Sequence, residues 1–451
     1  MEKKQFYKMV AALVLPIAIQ NLINVGVTSA DVIMLGKVGE TVLSASSLAG
    51  QIYFIMTLIF FGLTSGAAVL TAQYWGKGDT RTIEKVLGIT LRIGFLVSIG
   101  FTLAVWAVPE TLMRLFTSEE EVIAQGIQYL KIISCSYVFS GITIVYFNVM
   151  RSVERVVIAT VTYSISLVIN VVCNAIFIFG LLGAPVMGIR GAALGTLIAR
   201  IFEVCVVVVY GWRYNDAVRF HWKDLFARNP VLHKDFLKYS MPVMFNELAW
   251  GAGMAAITAI VGHLGSAAVA AHSVTQVSRQ LAMVVSMGVA AAAAIVCGKA
   301  IGEGREDLAK IYAARFTKLA AGLGVVGGTL ILFISPVARA LLNLSDQARS
   351  YLGFMMLVMA VLTLFQSMNC VWIVGVFRSG GDTKYGLYLD GFSLWGGSII
   401  LGILCAFVLH VPMPWLYVVL CCDELLKLPF AIRRYKSYRW LRNVTRASVS
   451  D

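Results

Sequence analysis

The chain is a succession of uncharged or nearly uncharged runs, each as long as a membrane crossing. The first reaches from Met9 to Gly36 with a single charge in it, the carboxylate of Asp31. A helix needs about 20 apolar residues to span the hydrocarbon layer. Runs of that length recur at roughly 9–35, 43–75, 88–109, 127–149, 156–181, 188–211, 239–264, 269–298, 316–337, 350–377, 384–409 and 413–432. None alternates polar and apolar residues as a barrel strand would, and a bilayer admits only helices or closed barrels. The reading is an all-α polytopic membrane protein with twelve transmembrane helices.

Composition agrees. Hydrophobic residues make up 59% of the 451 and charged residues only 14%, where a soluble domain carries about 25%. Mean hydropathy is +0.81. The net charge of +13 would suggest nucleic acid in a soluble chain, but here its distribution excludes that partner. Lysines and arginines cluster in alternate connections: Lys3, Lys4 and Lys8; Lys77, Arg81 and Lys85; Arg151 and Arg155; the segment 212–238; and Arg433 through Arg446. Basic loops stay on the cytoplasmic side, so both termini are expected in the cytoplasm of a multi-pass cell-membrane protein. The amino-terminal lysines and apolar stretch read as a retained first helix rather than a cleaved signal. The eight cysteines lie in apolar runs without metal-ligand spacing and read as small hydrophobes.

An internal repeat organises the chain. Shifted by 226 residues, "LPIAIQN" (15–21) meets "MPVMFNE" (241–247), and Pro16, Gly36, Gly62 and Gly76 fall on Pro242, Gly262, Gly288 and Gly302. This register sets Glu247 against Asn21. One residue more of offset brings "MRS" (150–152) onto "FRS" (377–379). Six spans per half preserve orientation, so the two lobes form a parallel repeat, a plan found among secondary transporters. The expected division is an amino-terminal lobe (1–211), a basic cytoplasmic linker (212–238), a carboxyl-terminal lobe (239–435) and a basic tail (436–451). Within the spans, Gly62-x-x-x-Gly66 and Gly191-x-x-x-Gly195 have the spacing that lets helices approach closely.

Polar residues inside the spans are the candidate site. Gln20, Asn24, Thr28 and Asp31 form one helical stripe, and Ser166, Asn170 and Asn174 form another. An intramembrane carboxylate must face the interior. Asp31 can meet its desolvation cost by holding a proton or a cation, and the asparagines could complete an oxygen-rich site around it. Glu247, Trp250, Met254 and Thr258 share a face, a mixture of carboxylate and aromatic that suits an organic cation. Asp390 lies two turns into the eleventh span. Arg200 and Glu203 have ion-pair spacing, as do Asp423 and Glu424 with Lys427. No phosphate-loop, nucleophile–base or metal cluster is apparent, so neither an enzyme nor a cofactor is expected.

The combination of "PIAIQNL", "SADVIMLGKVGETVLSASSLAGQ", "GLTSGAAVLTAQYWGKGD", "MPVMFNELAWGAG", "FRSGGDTK" and the closing "DELLKLPFAIRRYKSYRWLRNVT" resembles the multidrug and toxic compound extrusion (MATE) family over nearly the whole chain. The resemblance implies an antiporter, and a monomer is expected. It would export amphiphilic, cationic compounds by alternating access, driven by inward movement of protons or sodium. The resemblance matches the family's first-helix aspartate, a cation or proton site, to Asp31 and its seventh-helix glutamate to Glu247. With the polar stripes added, the expected ion-coupling set is Asp31, Asn170, Asn174, Glu247 and Asp390, with a sodium ion at Asp31 as one option, and the expected substrate contacts are Gln20, Asn24, Glu247, Trp250 and Met254. The sequence also departs from the family. The fifth-helix aspartate of archaeal-type members is Asn174, and the tenth-helix aspartate of some sodium-coupled members is missing from the region of Ser367 and Asn369. A lipid-precursor flippase of the same superfamily is the rival reading. It would need arginines in its cavity, for which Arg200 and Arg279 are the candidates.

Overall fold

The computed structural model describes residues 3–219, 221–226, 229–342 and 344–446. They are helical with no strand among them. In chain order the helices are α1 (Lys3–Val38), α2 (Glu40–Lys77), α3 (Thr80–Ala107), α4 (Pro109–Arg114), α5 (Glu120–Ile133), α6 (Cys135–Ser152), α7 (Val157–Phe179), α8 (Ile189–Val209) and α9 (Trp222–Phe226). Then follow α10 (Pro230–Gly262), α11 (Ser266–Gly302), α12 (Glu306–Leu341), α13 (Asp346–Cys370), α14 (Thr383–Asp390), α15 (Ile400–Ile403), α16 (Met413–Leu420) and α17 (Asp423–Lys436).

Ten helical spans among the described residues are long and apolar enough to cross a membrane, and the bent pair α5–α6 raises the number to eleven. Two expected spans differ from straight helices. Around 127–149 the chain bends by 51° between α5 and α6. At the break, Ser134 accepts the Trp106 indole N–H on its hydroxyl and the Thr102 hydroxyl on its carbonyl, the kind of side-chain intrusion that kinks a helix. The expected twelfth span, 413–432, is divided at Cys421–Cys422 into α16 and α17. Ser398 draws in the new helix start by accepting the Asp423 N–H at 2.9 Å. Asp423 and Glu424 in the first turn are favoured by the helix dipole.

Contacts gather the chain into two compact units. One comprises Met1–Ala18, Ala68–Gly78 and Leu237–Ser448, the other Ile19–Ala67 and Asp79–Phe236. In the first, a cluster including Val261, Leu352, Met355, Leu416 and Tyr417 forms an apolar core. Gln73 ties down the segment after α17 by donating to the carbonyls of Ser379 and Arg442 and accepting the Val444 N–H. In the second unit, α7 lies along α8, and Gly191 permits the approach, since a Cβ there would lie 2.5 Å from the Phe177 carbonyl carbon. The linker is fastened in the same unit: Arg81 of α3 grips Asp224 of α9 with two bonds of 2.7 and 2.8 Å.

π-helical turns mark the polar positions. One, Val371–Phe377, runs directly into Arg378, and another, Gly391–Ile399, begins directly after Asp390. Such turns are frequent at functional sites.

Candidate functional site

In the unit holding most of the amino-terminal half, the two ladders divide into three small networks. Asp31 Oδ1 accepts from Asn174 Nδ2 at 2.5 Å. Asn174 Nδ2 also reaches Asn170 Oδ1 at 3.3 Å, and Asn170 Nδ2 donates to Thr196 Oγ1 at 3.1 Å. Asn174 is fully buried, yet its Oδ1 has no partner among the described residues. Gly195 makes room for it: a Cβ there would collide with that same oxygen. Asp31, Asn170, Asn174 and Thr196 thus present a carboxylate, amide oxygens and a hydroxyl, hard donors that suit a proton or an alkali cation rather than a soft metal.

The second network is the Arg200–Glu203 ion pair. Arg200 Nη1 contacts both carboxylate oxygens at 2.8 and 3.0 Å. Ser166 donates to Glu203 at 2.6 Å, so this serine serves Glu203 and not Asp31. The third lies further along α1. Gln20, buried, donates to Thr160 Oγ1 and to the Val156 carbonyl, and accepts from Arg151 Nη2 at 2.7 Å. The stripe on α1 is therefore not one site. Asn24 and Thr28 are exposed and bonded only along their own helix, which removes Asn24 from the set expected around Asp31.

The other unit places Glu247 against a cation of its own, with Arg378 Nη2 donating to Oε1 at 2.9 Å. Trp250 and Met254, which follow Glu247 on α10, are partly buried and pack against the apolar core. A second network surrounds Lys427, whose ammonium lies 2.9 Å from Asp390, 3.0 Å from Asp423 and 3.5 Å from Glu424. Asn246 donates to Asp390 and Asn369 to Glu424. Asp390 and Glu247 thus belong to separate ion pairs.

Sequence reasoning missed Arg151, Arg378, Asn246 and Thr196 as site members, and gave Lys427 no link to Asp390. The signal was present in the repeat. Under the 227-residue offset, Arg151 falls on Arg378, Arg200 on Lys427, and Gln20 on Glu247. The Arg378–Glu247 and Arg151–Gln20 bonds follow this register, whereas Pro16 and Gly36 against Pro242 and Gly262 set Glu247 against Asn21 along the helix. Near the linker, Glu84, His221 and Asp224 also converge, but the Arg81 guanidinium bonds both carboxylates and makes this an ion-pair anchor.

A family model described as MatE matches the chain twice, over residues 16–176 and 242–404. The chain belongs to the MATE family. The two matches begin 226 residues apart, the offset of the internal repeat. Among relatives, the chain is 24% identical to the probable multidrug resistance protein NorM of Agrobacterium fabrum, covering 89% of this chain and 88% of that one. It is 21% identical to the uncharacterized transporter YisQ of Bacillus subtilis, covering 95% and 93%. Its fold matches that of the Vibrio cholerae MATE transporter VcmN with a TM-score of 0.87 at 17% identity, covering 97% and 98% of the two chains. A transporter of the MOP superfamily from Pyrococcus furiosus matches at 0.86 and 18%, covering 95% and 96%. The MATE-family chain is a multi-pass membrane transporter with an all-α fold.

Proposed function

We propose that this transporter is an antiporter that exports amphiphilic, cationic compounds across the cell membrane in exchange for protons or sodium, by alternating access. Relatives named as probable multidrug resistance proteins support the export of drugs. The observation that carries the coupling is the Asp31 network. It is a membrane-embedded carboxylate held by Asn174 beside a buried amide oxygen, and among the described residues the carboxylate has no cationic partner at hydrogen-bond distance and the oxygen has no donor. An arriving proton or cation neutralises Asp31 and changes what Asn174 bonds to. A ligand drives a conformational change only by binding two states differently, and this exchange of partners supplies such a difference. Glu203, Glu247 and Asp390, by contrast, already have Arg200, Arg378 and Lys427 as counter-ions.

Everted vesicles test the reading. A fluorescent lipophilic cation should be taken up when a proton or a sodium gradient is imposed separately, by one gradient and not without it. Uptake indifferent to both would refute antiport. The flippase reading has less support, because Arg200 is engaged by Glu203 and Arg279 bonds Gln276. We place both termini in the cytoplasm. A cysteine replacing Leu225 should resist impermeant thiol reagents applied outside intact cells, and labelling there would reverse the orientation.

A further inference from the structure

The repeat places two arginines in the same role but gives them different partners. Arg378 donates Nη2 to the Glu247 carboxylate at 2.9 Å. Arg151, 227 positions earlier, donates Nη2 to the Gln20 amide oxygen at 2.7 Å. Gln20 cannot turn away, because its Nε2 is committed to the Val156 carbonyl and Thr160 Oγ1. Its oxygen is thereby fixed toward the guanidinium as a neutral acceptor. The buried Nε of Arg151 has no partner at all, and no carboxylate pairs with Arg151 among the described residues. One half thus neutralises its arginine internally, while the other leaves a positive charge and a free donor in a partly buried place.

We infer that Gln20 and Arg151 form a subsite for a carboxylate carried by the transported compound. The chemistry is read from the molecule itself, since the same guanidinium position in the other half holds a carboxylate. Arginine's planar fork suits that group, offering several donors and a charge that is never lost. The exported compounds would then include zwitterions, amphiphiles bearing a cation and a carboxylate. That conclusion rests on the export reading only in calling the ligand a substrate. The binding itself needs no gradient, so a failure of coupling and a failure of this subsite are separable.

The test uses tetramethylrhodamine and its methyl ester, which differ in one free carboxylate, with the full chain in phosphatidylcholine nanodiscs that carry no anionic lipid. Fluorescence polarisation should show the acid binding about tenfold tighter than the ester, as a charge-assisted contact warrants. Gln20→Glu supplies the carboxylate from within, as Glu247 does, and should abolish the preference, so that the acid binds no tighter than the ester. Arg151→Gln should abolish it too. If that variant does not fold, the nearly isosteric Gln20→Glu decides alone. Equal affinities in the unaltered protein, no measurable binding of the acid, or a preference that survives Gln20→Glu would overturn the inference.

Discussion

Glu203→Gln isolates what a buried ion pair is worth in this fold. Glu203 is fully buried and accepts from Ser166 at 2.6 Å, from Arg200 at 2.8 and 3.0 Å, and from Thr143 at 3.4 Å. Glutamine keeps the shape but removes the charge, leaving the Arg200 guanidinium without its counter-ion. Removing one partner of a buried pair costs about 3–5 kcal/mol, whereas replacing both by apolar groups of similar volume is often neutral. The double variant Arg200→Met/Glu203→Leu should therefore recover most of the loss. Unfolding by detergent titration, followed by circular dichroism, compares the single variant, the double variant and the unaltered protein. A single variant within about 1 kcal/mol of the original, or a double variant as unstable as the single, would refute the reasoning, since neither fits a pair whose charges compensate each other.

Lys427 balances three carboxylates, Asp390, Asp423 and Glu424. Lys427→Met should destabilise the protein by about 3–5 kcal/mol, and adding Asp390→Asn with Asp423→Asn should restore much of it in the same titration. Gly195→Ala should push Asn174 off Asp31, because the new methyl collides with Asn174 Oδ1. Gradient-driven export should fall at least about tenfold, the effect of about 1.4 kcal/mol. Gly100→Ala, with nothing within 4 Å of the new methyl, should leave export unchanged.

What the sequence made legible followed from local spacing. The apolar runs located the helices, Arg200 and Glu203 lie one turn apart on one helix, and the four-residue ladder of α7 aligned Asn170 with Asn174. What it hid required distant segments to meet. Arg378 and Glu247 are 131 positions apart, as are Arg151 and Gln20, and no periodicity on one helix points to such a partner. The stripe on α1 misled for a related reason. Four polar residues on one face need not share one neighbour, and Gln20 and Asp31 serve different networks while Asn24 serves none. The bend at Ser134 and the break at Cys421–Cys422 were equally invisible, because the side chains that cause them, Trp106, Thr102 and Ser398, come from other helices.

The measurement closest to the central claim is gradient-driven export by Asp31→Asn in proteoliposomes, with drug binding measured on the same preparation. Asparagine mimics the neutralised carboxylate permanently, so the variant should fold and bind the lipophilic cation. It should let the cation equilibrate, yet fail to concentrate it against its gradient when protons or sodium are supplied. Export by Asp31→Asn at the rate of the unaltered protein would contradict the account and move the coupling to the Glu247 and Asp390 pairs.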